Sequence, residues 1–137
     1  MRMNANHRLG AVVTATLVLG SVSILTTGVW CRIDPAGFAE FTNWPEHEHF
    51  LHDAGVFQMG IGLMMAAAIW WRDAVAVVLG GFVFTNTFHA YNHYVDMDSG
   101  GNPSDWWNLA LVSAIVAVGL VFRLRTLRRR AVAAGNG

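Results

Sequence analysis

Hydrophobic positions in this chain gather into four long runs instead of alternating with polar ones. Leu9–Trp30, Phe50–Trp71 and Ala74–Val95 each extend over 22 residues, and Trp106–Phe122 extends over 17. About 20 apolar residues cross the hydrocarbon core of a bilayer as a helix, so the pattern predicts four transmembrane helices, the fourth at the short limit. The expected helices are about 9–30, 47–71, 74–96 and 105–123 within a single domain of residues 1–137. Residues 124–137 read as a basic, flexible cytoplasmic tail.

The ends of the runs carry their own signals. Pro45 suits the first turn of the second helix, and Glu46 and Glu48 suit its positive N-terminal end. Ser104 or Asp105 is placed to cap the fourth helix. Trp30, Trp44, Trp70, Trp71, Trp106 and Trp107 all fall at run ends, where indole rings prefer the headgroup layer.

Composition agrees: 54% of residues are hydrophobic and 13% charged, against roughly 25% charged in soluble proteins. The net charge is zero and says nothing, but its distribution does. There is no lysine. Eight of the nine arginines lie in the N-terminal segment (Arg2, Arg8), at Arg72, and in the tail from Arg123 to Arg130. The loops Cys31–His49 and Asp96–Asp105 are acidic and hold only Arg32. The positive-inside rule then puts both termini in the cytoplasm and these loops outside. The expected fold is an all-α membrane protein, an antiparallel four-transmembrane-helix bundle in the plasma membrane. Arginine followed by an apolar run also describes a signal peptide, with Ser21 and Ser23 as a small-x-small pair. The run continues past them to Trp30, a length that favours a retained helix. The lone Cys31 can form no internal disulfide.

The chemistry concentrates at two run ends. Asn86, His89, His93 and Asp96 are spaced 3, 4 and 3 residues apart, which stacks them on one helix face. In the second run His49, His52 and Asp53 share an arc, while His47 points away and reads as solvated. An Arg72-Asp73 turn would fold the second and third helices into a hairpin with these faces adjacent. Gly55, Gly60, Gly62, Gly80 and Gly81 would allow close approach.

The expected site is therefore His49, His52, Asp53, His89, His93 and Asp96, with Asn86 as an orienting partner. Imidazole and carboxylate ligands suit zinc, copper or non-haem iron. Haem b is a less favoured variant, requiring axial histidines from facing helices. Against a ligand role, histidines near an interface also bond water, headgroups or each other, and polar residues join helices. Ionisable groups within spans are nevertheless costly, which favours function.

Other motifs fail. H-E-H-F-L-H places Leu51 where the zinc-protease signature needs its second histidine. The arginine-rich tail, at the end of a membrane helix, points to topology and anionic lipid and away from nucleic acid. Met59, Met64 and Met65 read as packing.

The segments H-D-A-G-V-F-Q-M-G-I-G and N-T-F-H-A-Y-N-H-Y-V-D resemble a group of small bacterial four-helix membrane proteins of unassigned function. More distantly the chain is similar to DoxX-type membrane proteins. The resemblance implies a four-helix membrane architecture and no activity. Three functions stay open: a transition-metal or redox site near the outer leaflet, an accessory subunit meeting a homo-oligomeric or membrane-complex partner, and an enzyme acting on an apolar substrate.

Overall fold

A computed structural model describes residues 9–135. Arg2 and Arg8, used above to orient the chain, lie outside the described residues. The fold is all helical: α1 (Ala11–Ile33), α2 (Pro35–Thr42), α3 (Glu48–Ala67), a 3-10 turn (Arg72–Ala74), α4 (Val75–Val95) and α5 (Asp105–Gly135). In lipid a segment must satisfy its backbone internally, which a helix does. Four helices are long and apolar enough to cross a membrane: α1, α3, α4 with the preceding 3-10 turn, and α5. Their surface fits that environment. Val77 is 78% exposed and Phe57 73%, in a chain whose exposed side chains are largely apolar.

Local chemistry explains the breaks. Asp34 ends α1 and at once caps α2, its Oδ1 accepting from the Gly37 N–H at 3.0 Å. Pro35 follows as the first helical residue, where its missing N–H costs nothing but the preceding helix cannot continue through it. This short α2, not expected from hydropathy, ends at Asn43 in the left-handed conformation (φ 57°). Pro45 does not open α3 as expected. His47 is the cap, its Nδ1 accepting from the Phe50 N–H at 3.2 Å, so this histidine is employed structurally. The second apolar run also outlasts its helix: α3 stops at Ala67, and residues 68–74 form the connection to α4. The basic segment expected as a flexible tail continues α5 as helix to Gly135.

Helix pairing departs from the expected hairpin. α3 packs along α1, α4 packs along α5, α1 also meets α5, and α3 and α4 touch only sparingly. Antiparallel hairpins require adjacency only when the turn is minimal, and seven connecting residues relax that requirement. The core comprises Val13, Leu17, Met65, Ala68, Val75, Leu79, Phe82 and Val116. It lies toward the arginine-bearing end. There Arg123, 5% exposed, donates from Nη2 to the Arg72 carbonyl oxygen and ties α5 to the α3–α4 connection.

Candidate polar site on helices four and five

The opposite end of the bundle carries eight of the nine acidic residues, Asp73 being the exception, and five histidines. The expected six-residue constellation does not assemble. His49 and Asp53 form their i,i+4 pair at 3.6 Å, but their side chains are 83% and 61% exposed. His52 Nε2 lies 3.9 Å from Glu48 Oε1. Asp96 is the exposed C-cap of α4, its N–H bonded to the Asn92 carbonyl. No group of three or more His, Cys, Asp or Glu among the described residues is arranged to hold a metal ion. The physical reason is the pairing of the helices: α3 lies along α1, so its polar face does not meet that of α4.

Two members of the α4 stripe, Asn86 and His93, face α5 instead. Asn86 Nδ2 donates to the Leu109 carbonyl at 2.8 Å and to Ser113 Oγ at 2.9 Å. Asn86 thus serves as a strut between α4 and α5. One turn nearer the end, His89 Nε2 and His93 Nε2 are 3.0 Å apart. His93 Nδ1 lies 3.7 Å from Asp105 Oδ2, with the two side chains only 16% and 22% exposed. Asp105, read from sequence only as a cap, is the residue that completes the cluster. Its Oδ2 also accepts from the Asn102 N–H at 2.9 Å, which fixes the carboxylate at the start of α5.

A latch covers His93. Trp44, in the link between α2 and α3, stands edge-on to the His93 ring with centroids 5.4 Å apart. The Asn43 carbonyl accepts from the Gly101 N–H at 2.7 Å, and Asn43 Nδ2 donates back to the Gly101 carbonyl at 3.1 Å. Gly101 needs its freedom twice over. Its φ is 82°, and a Cβ there would lie 2.8 Å from the Trp44 indole nitrogen. This contact joins the α2–α3 link to the segment between α4 and α5.

The result is a line of three groups, Asp105, His93 and His89, running from the bundle end to one turn deeper. His93 has the Asp105 carboxylate 3.7 Å from Nδ1, within ion-pair reach, and His89 at hydrogen-bond distance from Nε2. Deleting the carboxylate would leave the Nδ1 side of His93 without its charged partner.

Comparison of the chain with protein-family models, curated proteins and solved structures finds no match.

Proposed function

We propose that the chain is a multi-pass plasma-membrane protein with both termini cytoplasmic, and that its working site handles protons in the outer half of the bilayer. The orientation rests on the arginine distribution. The activity rests on one observation: His93 stands between His89, with the two Nε2 atoms 3.0 Å apart, and the Asp105 carboxylate, 3.7 Å from its other ring nitrogen. Asp105 and His93 sit at the bundle end, where water reaches the headgroup layer. His89 lies six residues inside the end of α4, about 9 Å deeper along the helix at 1.5 Å per residue. Its side chain is on the exposed surface. An imidazole presented to the membrane phase is costly, and a costly polar group within a span points to a function. The arrangement suits transfer of a proton between the aqueous layer and a group presented to His89 by an apolar substrate or a partner helix. Imidazoles hydrogen-bonded through Nε2 can pass a proton by exchanging donor and acceptor roles.

A second reading has its own support. Two Nε2 atoms 3.0 Å apart can share one ion, and Asp105 behind His93 matches the carboxylate that orients a ligating histidine. This donor set fits zinc, copper or iron only in part. It supplies two nitrogens where a closed zinc site needs four ligands, so water or a partner would complete it. The proton reading needs no further ligand around the histidines, only the group that exchanges a proton with His89.

Nuclear magnetic resonance of histidine-labelled protein in micelles separates the two. Coupled titration of His89 and His93, with His89 titrating alone in His93→Gln, is the expected result. Independent titration in the unaltered protein removes the proton line. Binding of one equivalent of zinc or copper, abolished by His89→Ala with His93→Ala, transfers the site to the metal reading.

A further inference from the structure

The arginines at the other end of α5 divide between two faces. Arg123 is buried and bonded to the Arg72 carbonyl. Arg125, Arg128 and Arg129 are exposed and, with Val132, line a surface recess of about 370 Å³. Their spacing is i, i+3, i+4, so the three guanidinium groups share one helix face. Continued back along α5, the same stripe reaches Phe122, Val121 and Val118, which are 45%, 43% and 50% exposed. A basic cluster thus sits directly beyond an apolar strip on a single face of α5.

Depth gives that juxtaposition its meaning. Arg125 lies 20 residues after Asp105, about 30 Å along a helix rising 1.5 Å per residue. That is the thickness of the hydrocarbon core. If Asp105 marks one boundary of the core, Arg125 marks the other, and Arg128 and Arg129 lie in the headgroup layer. Orienting the chain needs only positive charge near this boundary. It does not need three arginines on one face in line with the exposed apolar strip, while a fourth is turned inward.

We propose that this face of α5 binds an anionic phospholipid, its phosphate held by Arg125, Arg128 and Arg129 and an acyl chain lying along Phe122, Val121 and Val118. Guanidinium groups suit the task because they form paired hydrogen bonds to phosphate oxygens. Opposite charge and matching depth commit the surface to a lipid of the leaflet at the arginine end. The inference rests on α5 crossing the membrane and is independent of the histidine site.

The test reconstitutes the full chain in phosphatidylcholine vesicles carrying a trace of spin-labelled phosphatidylglycerol or spin-labelled phosphatidylcholine. The expected result is preferential immobilisation of phosphatidylglycerol, with selectivity falling roughly fivefold per arginine replaced at low salt. Arg125→Gln, Arg128→Gln and Arg129→Gln together should abolish it, while the three lysine replacements should keep part of it. Arg128→Gln alone provides the fivefold comparison if the triple variant does not reconstitute. Equal immobilisation of the two lipids, or selectivity that survives the glutamine replacements, overturns the proposal. So does displacement of the lipid by inorganic phosphate, which would make the recess a site for soluble anions. Absence of any immobilised phosphatidylcholine shell would instead count against the membrane-spanning reading.

Discussion

The α1–α3 and α4–α5 seams solve one problem with different chemistry. Helices in lipid gain little from hiding apolar surface, since the surrounding chains are equally apolar, so close packing and hydrogen bonds must hold them. Along α1–α3 the backbones themselves meet. A Cβ on Gly55 would lie 2.6 Å from the Gly28 carbonyl oxygen, and one on Gly28 would lie 2.9 Å from the Gly55 carbonyl oxygen and the Met59 nitrogen. Ser21 Oγ adds a bond to the Gly62 carbonyl at 2.9 Å, and Thr27 Oγ1 donates to Gln58 Oε1 at 2.6 Å. Along α4–α5 the link is made by longer side chains: Asn86 with Leu109 and Ser113, then His93 with Asp105. Close packing leaves no room for chemistry. A seam bridged by titratable side chains can carry both structure and exchange.

The contrast breaks first at the glycines. Gly55→Ala forces backbone apart from backbone, because the atom it meets cannot rotate away. The expected loss is about 1–3 kcal/mol, typical of overpacking, read from thermal unfolding in micelles. Gly80→Ala is the matched control, since nothing lies within 4 Å of a Cβ there. Helix propensity alone then acts and is expected to leave stability equal or higher by up to about 1 kcal/mol. Equal losses at both positions would mean that α4 is packed on its Gly80 face as tightly as α1 is on α3.

On the polar seam, Asn86→Leu removes both bonds to α5 while keeping an apolar side chain of similar size. The expected loss is about 1–2 kcal/mol, following measured interhelical hydrogen bonds in membranes. Asp105→Asn is gentler. It preserves an oxygen for the Asn102 N–H but removes the charge facing His93. The expected outcome is a fold stable to within about 1 kcal/mol and an altered titration of the His89–His93 pair. Unchanged titration would reduce Asp105 to a helix-end residue.

These assignments also show what was legible in the sequence. The four spans were, because hydropathy is a property of each segment by itself and needs no knowledge of neighbours. Partner choice was not. Ile69, Trp70 and Trp71 continue the second apolar run, yet they belong to the connection, and their apolarity suits the interface without being helical. Counting them as helix shortened the apparent turn to Arg72-Asp73 and turned α3 toward α4. The glycines held a better signal: Gly20 and Gly28 on one run and Gly55 and Gly62 on another recur at seven or eight residues, the interval of a helix face, and all four are tightly surrounded. Gly60, Gly80 and Gly81, though of the same type, meet open space. The i,i+4 contacts of His49–Asp53 and His89–His93 followed from helical geometry alone. Asp105 could be found only by placing the start of α5 beside the end of α4, and Ser113 only by asking which polar residue of the fourth run could meet Asn86. α2 was missed because its signal, Asp34-Pro35, is cap chemistry that a hydropathy profile does not register.

The smallest expected effect tests whether the α3 histidines belong to the working site. His49 and Asp53 are mostly exposed, and an ion pair between such groups contributes little against solvent screening and lost side-chain freedom. His49→Ala with Asp53→Ala should therefore change stability by less than about 0.5 kcal/mol and leave the titration of His89 and His93 as it was. Gly101→Ala affects the same pair by a different route. It strains the backbone at φ 82° and drives the new methyl against Trp44, so the indole fluorescence and the His93 titration should move together. If the α3 double variant, and not Gly101→Ala, perturbs His89 and His93, the two polar stripes communicate across the gap between α3 and α4. The opposite result confines the site to α4 and α5, with Trp44 as its cover.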